Sequence, residues 1–375
     1  MYNWDLEELK RRKDELVKIR KSKRKTLSEI KLLKLDCSLM TYDYLLDAFK
    51  EEEPFSEIIL ESDKTFVSTR FKNIYSSINP RIIEATINSF DIFENSGIDI
   101  CFDSTSREKL ENQTVIEMTK EIFSSFNDQK ISQIVNEILD PNNHLLHITK
   151  GKETSIYETD YSGFSCRDYY NNIGYAIIYS NEKIRDLYTL VDELFHLIIN
   201  DNKTPNSYFE DNFYVSEVEG SFADLLVTDY LINKGILIDE ARNVELINYS
   251  NSRYFIRNLH LAHNFHNYFD KDNFDVKRIN QVLETKNLSY SIDREDMLNV
   301  VNSFTRDLNY GFSFLVALDL FYKYKNGYNG IINDMRDISN VKNIFIFLER
   351  YGVNFFNDGY KNLDSYQKSL IKQKR

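Results

Sequence analysis

The chain has 375 residues, a formal net charge of −12 and 42% apolar residues, among them 25 Tyr and 26 Phe. That length suits two ordinary domains or one large helical unit with an internal cleft, and the apolar content supplies a sizeable core. The acidic balance argues against nucleic acid as the main ligand, and no apolar run approaches the ~18–20 residues of a membrane span.

With only 4 Pro and 11 Gly, long uninterrupted helices are favoured. Residues 3–50 read as two helices. The stretch KRRKDELVKIRKSKRK at 10–25 holds 10 of the 47 basic residues and 2 of the 59 acids, leaving 37 basic against 57 acidic side chains elsewhere. Its apolar positions are few, so it reads as the solvated face of a helix. The second helix, around LSEIKLLKLDCSLMTYDYLLDAF, repeats apolar residues at three-and-four spacing. Another helical stretch covers roughly 80–96. Thr105 with Glu108 forms a capping-box signature for a helix running to about Leu139, where DPNNH stops it.

Between 144 and 180 the composition turns to Thr, Tyr and Ile broken by glycines, which predicts two or three short strands. From Glu182 onward the pattern is helical again. Cys37, Cys101 and Cys166 are scattered, without a C-x-x-C pair, as free thiols of a reducing compartment would be. The charged N-terminus lacks an apolar stretch of the signal-peptide kind, so a cytoplasmic protein is expected.

The chemistry concentrates in TLVDELFHLIIN, residues 189–200. Ile184, Leu187, Leu190, Val191, Leu194, Phe195 and Ile198 recur at helical spacing and make a broad buried stripe. Asp192 and His196, four apart, share one helix face, and Glu193 is displaced by about 100°. Positions 192 and 196 can therefore share one metal while Glu193 reaches a nearby water. The plainer reading of the same spacing is an i,i+4 Asp–His ion pair. A second segment, YVSEVEGSFADLLVTDYLINKG at 214–235, reads as a helix stopped by Gly235. Glu217, Ser221, Asp224 and Thr228 line its polar edge, and Glu217 at its start could supply a third ligand.

Together these segments resemble the oligoendopeptidase F and thimet oligopeptidase family of zinc peptidases. That family's pattern has a strand, then dl-T-L-x-H-E-x-G-H, then E-[VI]-x-S-x-F-x-E-x-L-L-x-D-Y-L. Here the corresponding text is AIIYSNEKIRDLYTLVDELFH followed by EVEGSFADLLVTDYLI. ITKGK upstream, and YGFSFLVALDLF and NVKNIFIFLERYGVN downstream, also match in order, so the likeness covers about 145–360. It implies a mainly α fold, a helical metallopeptidase-like body with a small β-sheet edging a cleft. It divides the chain into an N-terminal helical region, 1–140, shorter than is usual for the family, and a catalytic region, 141–375. The strand near 174–180 is expected at the cleft edge, where a peptide could add by backbone pairing.

Carried over by residue, the resemblance makes Glu193 the general base and His196 and Glu217 ligands of Zn²⁺. Asp192 stands where the first zinc histidine belongs; aspartate does ligate zinc. The family's late-helix tyrosine falls at Leu308, and Tyr310, close but out of register, is the candidate for stabilising the transition state. His260 and His263 of NLHLAHNFHNYF, with Tyr175 on the cleft strand, are candidate peptide contacts. A peptide is the expected partner, with neither nucleic acid nor a membrane span. Two functions follow: a zinc metallopeptidase acting on short or flexible peptides, or an inactive pseudopeptidase that binds a peptide or protein partner.

Overall fold

The computed structural model describes residues 2–24, 26–50, 71, 74–98, 109–151, 163–199, 215–266, 277, 280–281, 294–338, 344–350 and most of 352–373. Two helices open the chain, α1 (Leu6–Lys23) and α2 (Glu29–Lys50). Asp5 caps α1 by accepting from the amides of Glu7 and Glu8. The basic residues of α1 are largely matched by acids: Arg11 with Glu8 and Glu15, Lys13 with Asp43, Arg20 with Asp36. Leu9 and Leu16 turn inward.

The stretch expected at 80–96 is two short helices, α3 (Pro80–Ile87) and α4 (Phe90–Glu94). The single helix expected to end near Leu139 is also two, α5 (Asn112–Ser124) and α6 (Gln129–Ile138). Asn127 takes a positive φ of 51° and Asp128 caps the new start, so the chain reverses there. The Thr105–Glu108 capping pair lies outside the described residues.

Three strands follow, β1 (Leu146–Lys150), β2 (Gly163–Asp168) and β3 (Ile173–Ser180). Their order is β1-β3-β2, with β1 parallel and β2 antiparallel to β3. The strand at 173–180 is therefore central, which corrects the expectation that it edges the cleft. Among the described residues the outer strands are β1, whose Ile148 amide donates to Tyr2 O, and β2.

Helical structure then resumes in α7 (Ile184–Ile199), α8 (Val218–Lys234), α9 (Ile238–Phe265), α10 (Arg294–Lys325), α11 (Ile331–Ile338), α12 (Ile344–Arg350) and α13 (Lys361–Gln373). A mainly helical body with one small sheet is thus what the sequence forms. Among the described residues no helix is long and apolar enough to cross a membrane.

The sheet is sandwiched. On β2 and β3, Gly163, Arg167 and Gly174 face α7: Arg167 donates to Leu197 O, and a Cβ on Gly174 would touch the Leu197 side chain. Phe164, Asp168 and Tyr175 face the other way, onto Trp4, Tyr42 and Tyr44. Alternation along each strand forces this division. Asp186 accepts from Ser180 Oγ at 2.6 Å and from the Asn181 amide at 3.1 Å, tying the end of β3 to the first turn of α7. The α7 stripe is fully packed, with Leu187, Leu190, Val191, Leu194 and Phe195 all at 0% exposure. Truncating one of these to Ala would cost about 2–5 kcal/mol.

Candidate active site

Helices α7 and α8 pack antiparallel. Tyr188 bonds Thr228 (2.8 Å), Phe195 meets Phe222, and His196 meets the start of α8, so rising along one helix means descending the other. The polar face of α7 is thereby set against the N-terminal turn of α8. Gly235, at φ 70°, closes α8 as expected.

Four acids surround His196. Its Nε2 lies 3.2 Å from Asp192 Oδ1 and 4.0 Å from Glu217 Oε2, and its Nδ1 lies 3.4 Å from Glu219 Oε1. Glu193 points toward the sheet, where Ser165 of β2 hydrogen-bonds it. The structure thus brings Asp192, Glu193, His196 and Glu217 together. The Asp–His contact foreseen as the plainer reading is present too, since the same i,i+4 spacing serves both.

Two glycines make this closeness possible. A Cβ on Gly163 would stand 2.6 Å from Thr189 Cγ2 and 2.7 Å from Ile177 O, so β2 could not lie this near α7 with any other residue there. A Cβ on Gly220 would stand 2.5 Å from Asp192 Oδ1, so α8 leaves room for that carboxylate only by lacking a side chain.

The electrostatics follow from burial and crowding. Burial first, then the Asp192 charge, push the Glu193 carboxyl up to about 8. His196 lies well above the usual histidine range although burial opposes it, because the carboxylates of Asp192 and Glu219 favour its charged form. Crowded carboxylates of this kind call for positive charge, which protonated His196 contributes.

Several donors fit a divalent cation. Among the described residues no hydrogen-bond donor is aligned with the buried Asp192 Oδ1, despite the nearby ring nitrogen. Two ligands of one tetrahedral zinc, at bond lengths of ~2.0–2.2 Å, stand roughly 3.3–3.5 Å apart. The 3.2 Å and 4.0 Å separations about Nε2 bracket that spacing. Among the described residues no ready-formed cage of His, Cys, Asp and Glu is present, and Glu217 would have to close in by a fraction of an ångström.

Tyr310 of α10 is 38% exposed and stacks on Phe255. Its hydroxyl is pushed upward by burial and by the charges of Glu217 and Asp192. Asn309 donates to Ser216 Oγ at 2.9 Å, fastening α10 next to Glu217. Leu308, where the resemblance would put a tyrosine, is a core residue at 0% exposure.

The remaining candidates lie elsewhere. Tyr175 is 1% exposed, and its hydroxyl accepts from Arg12 Nη1 (3.0 Å) and lies 3.1 Å from that of Tyr42. It joins the sheet to α1 and α2 and is not a cleft contact, because odd-numbered β3 positions face away from α7. His260 stacks on Phe90 at 4.1 Å, against the N-terminal region. His263 bonds the Tyr75 hydroxyl at 2.6 Å and, with His266 and Glu84, lines a separate cavity of about 500 Å³. The sequence reading missed Glu219, Ser165 and Gly220. Only Glu219 carried a visible signal, as a second acid two residues after Glu217.

No family model and no curated protein matches the chain. Solved structures do. One is described as a "putative peptidase from Chlamydophila abortus": TM-score 0.52 and 10% identity, over 96% of this chain and 62% of that one. A "putative oligoendopeptidase F from Bacillus anthracis" gives 0.49 and 10%, over 99% and 67%. PZ peptidase A with an inhibitor gives 0.49 and 11%, over 98% and 69%. The chain thus spans about three fifths of the length of the first. At that identity the likeness speaks for architecture alone, and the chain has, over nearly its whole length, the fold of the Chlamydophila peptidase structure.

Proposed function

We propose that the protein is a metallopeptidase acting on short or flexible peptides, with Asp192, His196 and Glu217 holding one Zn²⁺. The observation that carries this is the convergence of two carboxylates on Nε2 of a single partly buried histidine, with a third carboxyl, Glu193, held beside them. When bound, the metal supplies Lewis acidity toward water and the peptide carbonyl.

Glu193 is the general base. Without a cation its carboxyl keeps its proton at neutral pH, because burial and the Asp192 charge oppose ionisation. Placing two positive charges among the same carboxylates removes that opposition, so Glu193 ionises more readily and closer to neutral pH, where a general base is most effective. Glu193 then takes a proton from the attacking water and returns it to the leaving amine nitrogen. The Ser165 hydroxyl keeps the carboxyl aimed between helix and sheet. Tyr310, partly exposed and within reach of the Glu217 and Asp192 charges, would donate to the oxygen that gains charge during attack. A peptide lying along the outer side of β2 would pass next to Glu193, and backbone pairing needs no particular side chain.

Glu193→Gln tests the reading, because it preserves size and an acceptor but cannot take up the proton. Hydrolysis of a mixed peptide library should fall by about 10²–10⁴-fold with metal content unchanged. Cleavage at the parental rate would refute the role of Glu193. A parent that binds zinc and cleaves nothing would make the protein a peptide-binding pseudopeptidase.

A further inference from the structure

His196 is held at both ring nitrogens. Nε2 faces Asp192 and Glu217, and Nδ1 lies 3.4 Å from Glu219 Oε1. The Glu219 side chain is only 5% exposed, against 25% for Glu217. A carboxylate that deeply buried is costly unless something pairs with it, and the partner it is given is Nδ1.

Local backbone explains how one turn reaches both nitrogens. Glu217 is the residue preceding α8, with φ −112° and ψ 13°, outside the helical region. From there its carboxylate approaches Nε2, while Glu219, already inside the first turn, approaches Nδ1. The acids serve different atoms of one ring.

An imidazole binds a metal through one nitrogen, and the bond made by the other nitrogen decides which. If Nδ1 carries a proton donated to Glu219, the lone pair of the neutral ring lies on Nε2, facing Asp192 and Glu217. We propose that Glu219 is a positioning residue: it holds the Nδ1 proton of His196 and so fixes the tautomer and ring orientation that present Nε2 to the metal. This rests on the metal-site reading above but assigns a role to a residue outside the ligand set. Glu219 touches neither substrate nor metal and acts only through His196.

The test compares parent, Glu219→Ala and Glu219→Gln as full-length chains. Gln accepts the same N–H through Oε1 and keeps the size of Glu; Ala does neither. Zn²⁺ affinity is measured by competition with a chromophoric chelator, and the His196 ring by nitrogen-15 histidine labelling of metal-free protein. The Ala variant should bind Zn²⁺ about 10–100-fold more weakly, as loss of an outer hydrogen-bond partner does elsewhere. It should also lose the slowly exchanging, downfield Nδ1–H signal. The Gln variant should keep that signal and recover most of the affinity. Parental affinity and an unchanged ring signal in the Ala variant would overturn the proposal, as would a Gln variant as impaired as Ala. If the parent binds no zinc, the metal-site reading fails by itself. The ring signal still decides whether Glu219 holds Nδ1.

Discussion

Gly220→Ala should separate metal binding from folding. The new Cβ would lie 2.5 Å from Asp192 Oδ1 and 3.3 Å from its Cγ, where ordinary contact begins at 3.4 Å. The carboxylate must therefore retreat by roughly 0.9 Å, the difference between those contacts. The displaced atom ends a short side chain with two free torsions, so Asp192 swings and the backbone stays in place. Alanine in a helix is favoured over glycine by up to ~1 kcal/mol, which offsets much of that strain. Metal ligation tolerates only ~0.2 Å of error in bond length, so the same displacement removes Asp192 from the shared site. Unfolding of the metal-free variant should stay within about 1 kcal/mol of the parent, while Zn²⁺ affinity falls by at least about tenfold, or ~1.4 kcal/mol. Denaturant melts without metal, paired with chelator-competition titrations, measure both quantities. Parental zinc affinity in Gly220→Ala would show that Asp192 Oδ1 is not a ligand.

Asp192→His removes one negative ligand and should move the acidic limb of the pH–rate profile to lower pH, because a more positive metal acidifies water more strongly; an unchanged limb on one fluorescent peptide would leave position 192 as a plain Asp–His contact. Metal-free protein should lose stability as pH rises from about 6.5 to about 8. Glu193, Asp224 and Glu245 keep their protons to about 8, 7 and 7 when folded but lose them near ~4 when unfolded, so the folded chain binds more protons in that window. The raised His196 acts in the same direction, and the gain from His147, lowered to about 4, is complete by about 6.5. Glu193→Gln should flatten the slope; thermal melts showing level or rising stability would contradict the raised proton affinity of these acids.

Much of this was legible in the sequence, for reasons that differ by residue. Asp192 and His196 share a face because helical spacing dictates it, and Gly235 ends α8 because a left-handed residue is needed there. Glu217 stood out as an acid at the start of its helix, but only the resemblance set it against His196, since no local rule places the start of one helix against the middle of another. The break between α5 and α6 was written in Asn127–Asp128, a reversal and a cap that the apolar repeat concealed. The cleft strand was misassigned because the order β1-β3-β2 is a property of the crossover, and strand composition does not encode it. Tyr175 failed with it: alternation divides a strand into two faces without saying which layer covers each. Glu219 was visible only as a second acid beside Glu217, and its role was hidden because regular helix geometry would direct residues 217 and 219 apart. The non-helical backbone at Glu217 lets both reach one ring.

The proposed function stands on Asp192, His196 and Glu217 sharing one divalent metal. Elemental analysis of protein purified without chelators, parent beside Glu217→Ala, tests it most directly. Glu217 lies outside the hydrophobic core, with its side chain 25% exposed, so its truncation should leave the fold intact. Two protein ligands rarely retain zinc against buffer competition. About one zinc per chain is expected in the parent and almost none in the variant. No metal in the parent, or equal metal in both, would contradict it.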